Sequence, residues 1–220
     1  MSKRRVDPSI LPLVALATLL LSSPLAAQGP IHASFAGFGV AGTNLDRLVA
    51  GATQSFSGTT VTGEGRLSFW RLSLDARYAE GDLTDDLDNT LRFVEAEALI
   101  GIRPIPWINL QFGPVVRKTE ESSGSGTVSF WEARALAEAA LIPTIVSGHF
   151  GMWFAPAADS EDIDTFDNRL GAEAGLVLRA GRLPILAHFG YRISHAKFEQ
   201  DFREETVQHL YFVLGIELGR

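Results

Sequence analysis

The last stretch of the chain, residues 205–220, alternates strictly between two kinds of side chain. Every second position is large and apolar: Leu210, Phe212, Leu214, Ile216 and Leu218. The intervening positions are polar, small or aromatic: His209, Tyr211, Val213, Gly215, Glu217 and Gly219. A period of two over this length predicts a β-strand rather than a helix, whose apolar positions recur every three to four residues. One face of the predicted strand must therefore lie against an apolar environment.

Nine further stretches repeat this pattern, separated by gaps that are alternately short and long. The predicted strands lie near residues 31–41, 60–69, 72–78, 94–102, 108–117, 131–139, 146–154, 170–178 and 185–193. The longer, polar gaps are predicted as loops at residues 42–53, 80–89, 119–126, 156–166 and 197–204. Each strand has roughly the 9–11 residues that a tilted strand needs to cross a bilayer. The pattern predicts an all-β fold, an antiparallel up-and-down transmembrane β-barrel of ten strands, with eight possible because the first run is glycine-rich.

The N-terminus has the layout of a secretory signal peptide. Basic residues at positions 3–5 precede an apolar segment at residues 10–21, which is too short for an ordinary transmembrane helix. A cleavage point follows Ala27, and an uncleaved membrane anchor is the alternative. We therefore expect residues 1–27 to be a signal peptide and residues 28–220 to be an outer-membrane β-barrel domain.

The composition excludes several classes of function. The 220-residue chain contains no cysteine, so disulfides and thiolate metal ligands are impossible. Its formal net charge of -7 argues against a nucleic-acid partner, because phosphate binding requires a basic surface. No stretch after the signal peptide offers the 18 consecutive apolar residues of a transmembrane helix. An exported chain of this kind is periplasmic, secreted or a β-barrel, and the strand pattern favours the barrel.

Charged residues of the predicted strands fall on the face opposite the apolar one, which a barrel turns towards its lumen. The acids are Glu64, Asp75, Glu95, Glu97, Glu132, Glu138, Glu173 and Glu217. The cations are all arginines: Arg66, Arg71, Arg77, Arg103, Arg117, Arg134, Arg169, Arg179 and Arg192. Balanced charges predict ion pairing, which a low-dielectric interior requires, and guanidinium groups match carboxylates through two parallel hydrogen bonds. The predicted lumen charge network comprises all these acids with Arg66, Arg77, Arg117, Arg134, Arg179 and Arg192.

Through its export signal, alternating strands and amphipathic final strand, the region 31–220 resembles the superfamily of small bacterial outer-membrane β-barrel proteins, the OmpA/OmpX-like group. The resemblance rests on these features rather than on a motif. It implies outer-membrane lipid, lipopolysaccharide, periplasmic chaperones and the barrel-assembly machinery as partners, no nucleic acid, and a monomeric state. Such barrels commonly end in an aromatic residue, whereas this chain ends Leu218-Gly219-Arg220.

Three functions are compatible with such a barrel. A structural or surface-interaction protein with a charge-packed lumen is favoured, because a ten-stranded interior is only slightly wider than one that side chains fill. A narrow porin-like channel for small solutes is one alternative. A rim-located enzyme that hydrolyses lipid or peptide is the other. No catalytic residues, cofactor or metal site are predicted.

Candidate catalytic groups fall on both faces of the predicted barrel wall. Ser147, His149 and Glu138 share the lumen face, but residues two apart on a strand stand about 6.5 Å apart, which is long for a serine–histidine hydrogen bond. His195 falls on the outward face near a loop, while the adjacent Ser194 faces inwards. The acidic loop segments, residues 82–88 and 159–167, lack EF-hand spacing but could bridge to anionic lipid through weakly bound divalent cations.

Overall fold

In the computed structural model, every regular element of the described residues is a β-strand. The structure describes residues 34–122, 124–156, 166–181, 183–198 and 203–218. The ten strands are β1 Ser34–Val49, β2 Ala52–Phe69, β3 Leu72–Thr84, β4 Thr90–Ile105, β5 Ile108–Glu121, β6 Gly124–Ile142, β7 Val146–Ala155, β8 Phe166–Arg179, β9 Ile185–Phe198 and β10 Glu204–Leu218. No helix in these ranges is long and apolar enough to cross a membrane. The predicted signal peptide, residues 1–27, lies outside the described residues.

The strands form a closed antiparallel barrel, in which each strand pairs with its neighbours in sequence and β10 pairs with β1. The closing seam keeps one register from Ser34 opposite Leu218 to Leu48 opposite Glu204. Closure pairs both edges of the sheet, which would otherwise present unpaired backbone groups. The predicted all-β up-and-down barrel is confirmed, with ten strands rather than eight.

The barrel has two different ends. At one end, here the turn end, β1 begins, β10 finishes, and the connections span residues 70–71, 106–107, 143–145 and 180–184. At the opposite end, here the loop end, the connections span residues 50–51, 85–89, 122–123, 156–165 and 199–203. The predicted loop 156–166 falls largely outside the described residues, as does half of the predicted loop 197–204.

Two of the predicted loops are wrong, because the strands continue through them. β1 and β2 cover most of residues 42–53 and are joined only by Ala50 and Gly51. Both have positive φ angles, 49° and 85°, as in the type I′ turns whose twist matches antiparallel strands. β5 and β6 likewise run through residues 119–126. Strand lengths of 10 to 19 residues replace the predicted 9–11.

The outer surface carries a continuous band of exposed apolar side chains that reaches from the turn end along every strand. Members of this band include Phe38, Val61, Leu74, Ile100, Phe112, Trp131, Met152, Leu170, Leu176, Tyr191, Leu210 and Ile216. On β5 the band runs from Ile108 to Val116, which is about 27 Å along the strand at about 3.4 Å per residue. Strand tilt shortens this length towards the roughly 25 Å height typical of outer-membrane barrels.

Beyond this band, towards the loop end, the polarity of the barrel wall reverses. Outward-facing side chains there are charged and exposed, as at Asp82, Arg92, Lys118 and Lys197. Inward-facing side chains form two buried apolar clusters, which we call the apolar plug: Leu45, Phe56, Ala79, Leu83, Leu91, Phe93 and Val207 in one, Val115, Phe130, Ala155, Ala196 and Phe198 in the other. Among the side chains that the structure describes, every strand except β8 contributes to the plug, which the sequence pattern did not predict.

Candidate functional site

Between the apolar plug and the turn end, buried ion pairs occupy the middle of the lumen. Arg117 donates two hydrogen bonds to Glu95, at 2.8 and 2.6 Å. Arg134 donates to Glu132 at 2.6 Å. Arg169 is fully buried and lies 3.2 Å from Glu95 and 3.4 Å from Glu132. Because these two carboxylates each serve two arginines, the pairs form one network.

A second group of ion pairs extends the network towards the turn end. Arg134 donates to Glu97 at 2.8 Å, and the same carboxylate pairs with Arg192. Arg77 donates to Glu173 at 3.1 Å, and Arg134 lies 3.9 Å from that carboxylate. Arg134 therefore connects acids from both groups.

The strand register explains which charges meet. Several oppositely charged residues face each other directly across neighbouring strands: Glu64 and Arg77, Arg66 and Asp75, Arg77 and Glu97, Glu95 and Arg117, Glu173 and Arg192. Facing residues bring their Cβ atoms within about 4.5–5.5 Å, close enough for long side chains to pair. Other contacts cross the lumen instead, as where Arg169 of β8 reaches Glu95 of β4.

Nearer the turn end, the ion pairs become less buried. Arg66 bridges Asp75 and Glu138, and Arg179 lies 3.0 Å from Glu217. With these, the structure places every residue of the predicted charge network in the lumen, each with at least one ion-pair partner.

Aromatic side chains explain why the lumen cations are arginines. The guanidinium groups of Arg134 and Arg192 lie 5.0 and 4.4 Å from the centre of the Trp153 ring. Arg169 lies over Phe130 at 4.8 Å. A planar guanidinium stacks on a ring while its edge still donates to carboxylates, whereas the compact ammonium of lysine does not combine the two contacts.

Sequence reasoning missed part of the network near the loop end. Arg47 donates to Glu205 at 3.0 Å and also pairs with Glu121. Arg203 pairs with the same Glu205 carboxylate. Arg47 lies in the predicted loop 42–53. The alternation of the preceding strand continues through Thr43 and Leu45, and this continuation is the sequence signal that places Arg47 on the inward face.

A polar cavity of about 220 Å³ lies between the ion pairs and the turn end. Its lining includes Glu64, Gln111, Glu138, His149, Arg179 and His188. The Gln111 side chain is buried, and among the described residues neither its nitrogen nor its oxygen has a hydrogen-bond partner. Because buried amides normally find partners, the cavity suits water or a small polar molecule.

The candidate catalytic group of the lumen does not assemble as a triad. Glu138 lies opposite His149 in the register, but its carboxylate is ion-paired with an arginine. The Ser147 hydroxyl accepts a hydrogen bond from Arg179 at 2.7 Å. Nucleophile, base and orienting acid are therefore held by different partners.

At the outer rim, His195 and Ser194 face opposite sides of the wall. His195 Nδ1 lies 3.0 Å from the Thr206 hydroxyl, whereas the Ser194 hydroxyl accepts from Arg169 at 3.2 Å inside the lumen. Within the described ranges, no group of three or more histidine, aspartate and glutamate side chains could hold a metal ion. The cation-bridging hypothesis for the acidic loops stays a prediction, since residues 159–165 lie outside those ranges.

Asp85 organises the connection between β3 and β4. Its carboxylate accepts hydrogen bonds from the Asn89 side chain at 2.8 Å and from the backbone N–H groups of Asn89 and Leu87 at 2.9 Å. These hydrogen bonds, led by the one from the Asn89 side chain, lower the pKa of Asp85 to about 2. The carboxylate therefore acts as an intramolecular turn-forming group.

No protein-family description matches the chain, and no curated protein sequence matches it either. Among solved structures, the outer-membrane protease OmpT from Escherichia coli is similar, at 7% identity and a TM-score of 0.49 over 89% of this chain and 99% of that one. The translocator domain of the autotransporter NalP from Neisseria meningitidis has 12% identity and a TM-score of 0.44 over 94% and 96%. Neisserial surface protein A has 9% identity and a TM-score of 0.38 over 84% and 98%. At these identities the likeness is one of fold alone.

Proposed function

We propose that this chain is a bacterial outer-membrane β-barrel whose lumen is closed and whose role at the membrane surface is structural or interactive. The apolar exterior supports the membrane location, because a soluble barrel would not expose Phe38, Phe112 and Met152 at more than half of their surface. The predicted signal peptide is consistent with an outer-membrane location, because it would export the chain from the cytoplasm.

The interior carries the proposal of a closed lumen. A solute crossing the barrel would meet the buried arginine–glutamate network and then the apolar plug. Opening the network means separating buried pairs such as Arg134 and Glu132, and removing one partner of a buried pair costs about 3–5 kcal/mol. The polar cavity at the turn end does not by itself provide a path.

The loop-end rim supports a role in surface interaction. There the strands extend past the apolar band, so outward charges sit on paired β-strands rather than on long loops. Glu80, Arg92 and Glu120 form a row of cross-strand ion pairs, and Lys197 lies 3.4 Å from Glu204. Cations at this height suit the phosphates of lipopolysaccharide, the proposed lipid partner. We expect refolded barrel to leave the acyl composition of lipopolysaccharide unchanged, as for a non-enzymatic protein.

Single-channel recording in planar bilayers tests the closed lumen. Wild-type barrel is expected to show no steady conductance. The double variant Arg134→Ala, Phe130→Ala weakens both barriers, because it removes one central cation and one plug residue, and it is expected to conduct. Arg92→Ala, on the outer rim, is the matched control and should stay silent. Steady, large open-channel currents from the wild type would show that the lumen is a selective pore instead.

A further inference from the structure

Two histidines and a tyrosine meet at the wall of the turn-end cavity. Tyr211 Oη lies 3.3 Å from His149 Nε2 and 3.2 Å from His188 Nε2. The two histidine nitrogens are 3.5 Å apart. The His188 ring stands edge-on to the other two, at interplanar angles of 69° and 81°. The three polar atoms therefore form a nearly equilateral triangle.

The register of four strands makes room for this triangle. His149, Gly175, Gly190 and Tyr211 lie in one row across β7, β8, β9 and β10. A Cβ atom at Gly175 would lie 2.4 Å from the His149 ring, and one at Gly190 would lie 2.2 Å from Tyr211 Oη. The two glycines thus let the long side chains lean towards each other, and His188, two residues before Gly190, faces the same way.

Glu64 contacts one ring nitrogen of His188 and leaves the other nitrogen to face the triangle. Its carboxylate contacts His188 Nδ1. Because an ionised carboxylate only accepts hydrogen bonds, Nδ1 is the donor in this contact, which leaves Nε2 as the His188 nitrogen available to a metal ion. A carboxylate on the far nitrogen is the arrangement that orients metal-binding histidines.

We propose that His149, His188 and Tyr211 bind one divalent transition-metal ion of the zinc or copper class. Bonds of about 2.0–2.2 Å in a tetrahedral arrangement separate the ligand atoms by about 3.3–3.6 Å. The separations in the triangle, 3.2, 3.3 and 3.5 Å, match this spacing. Without a metal ion, the same distances allow hydrogen bonds between the Tyr211 hydroxyl and the two imidazole rings. Imidazole nitrogens suit both metals.

The surroundings fit a metal ion in charge and in access. Arg77 lies over the Tyr211 ring at 5.4 Å and pairs with Glu173 at 3.1 Å and with Glu64 at 3.7 Å. Arg77 and Arg134 both pair with Glu173, so Glu64, which contacts His188, and a phenolate at Tyr211 are the groups that would offset a dication. His149 and His188 also line the cavity, so a fourth coordination position faces a space that holds water or a small ligand.

Metal titration of the full barrel, refolded without a histidine tag and stripped with a chelator, tests the site. Calorimetry with Zn²⁺ or Cu²⁺ is expected to show one ion per barrel. The copper form should show a tyrosinate-to-copper absorption band, which Tyr211→Phe abolishes. His149→Gln and Tyr211→Phe should each weaken binding at least about tenfold, a loss comparable to that of second-shell changes.

Two controls make the result decisive. His195→Gln removes an outward histidine and should leave the affinity unchanged. Glu64→Gln keeps the first ligands and should weaken binding about 10- to 100-fold through the lost orientation of His188. Circular dichroism and heat-modifiable gel migration verify that each variant folds. If a variant of His149 or Tyr211 fails to fold, the affinity of Glu64→Gln still tests the site. Absence of saturable binding, or binding that only His195→Gln removes, overturns the proposal.

Discussion

Arg169 shows what a fully buried charge requires in this barrel. Its guanidinium lies within 3.4 Å of two carboxylates, those of Glu95 and Glu132, and donates to the Ser194 hydroxyl at 3.2 Å. One flat face lies over Phe130. The parity of the strand predicts that Arg169 points inwards, but not these partners. Contacts across the lumen depend on the barrel diameter and on the stagger of the strands, neither of which a single strand encodes.

Replacing Arg169 by methionine is expected to destabilise the barrel by about 3–5 kcal/mol, because two buried carboxylates lose a partner. Urea-induced unfolding in lipid vesicles measures the change. The matched control is Arg92→Met, whose side chain is 54% exposed and whose ion pairs should contribute about 0–1 kcal/mol. Adding Glu132→Gln to Arg169→Met should recover part of the loss. Equal effects of the two single variants would contradict a buried network that depends on pairing.

Along each strand, apolar and polar side chains keep alternating, but the apolar face changes from the outside of the barrel to the inside towards the loop end. Within the apolar band the apolar face of β1 points outwards, as at Phe38 and Val40. Near the loop end the apolar residue of the same strand, Leu45, points inwards. In this part of the strand the polar side chains face outwards and the apolar ones inwards. A pattern that expects apolar side chains on the outside therefore does not recognise the segment as a strand. This inversion explains why residues 42–53 were predicted as a loop while the strands within the band were predicted correctly.

The β3–β4 connection allows a test of loop order against pH. Because the folded-state pKa of Asp85 is lowered to about 2, its hydrogen bonds stabilise the turn above the unfolded pKa of about 3.9. That contribution is lost as pH falls from about 4 through about 2. Hydrogen exchange at the Leu87 and Asn89 amides, which donate to Asp85, should therefore remain slow at pH 5 and lose protection below about pH 2.

Asp85→Asn should remove this pH dependence and weaken the protection at neutral pH. Asp86→Asn, at an exposed neighbouring position, is the control and should behave like the wild type. Protection of the two amides that is unchanged in Asp85→Asn would show that the backbone holds the turn without the carboxylate.

For the whole molecule, closure of the barrel brings the first and last strands into register, and this seam is the longest-range contact in the fold. The final strand could be predicted from its alternation, and pairing with β1 follows from an up-and-down order. The close approach of the two backbones could not be predicted, because side-chain alternation specifies which way a residue faces and not how closely paired backbones approach. A Cβ atom at Gly39 would lie 1.8 Å from the Phe212 carbonyl oxygen and 2.7 Å from the Val213 Cα.

Gly39→Ala is therefore expected to hinder closure, because backbone atoms cannot move aside as the end of a flexible side chain can. Gly42→Ala is the matched control on the same strand, where an added Cβ atom meets nothing within 4 Å. Refolding into detergent micelles, followed by unheated gel electrophoresis, separates closed barrels from open chains. The Gly39 variant should give a much smaller closed fraction, while the Gly42 variant matches the wild type. Equal closed fractions for the two variants would contradict the prediction, because they would show that the backbones at Gly39 and Val213 have room for an added Cβ atom.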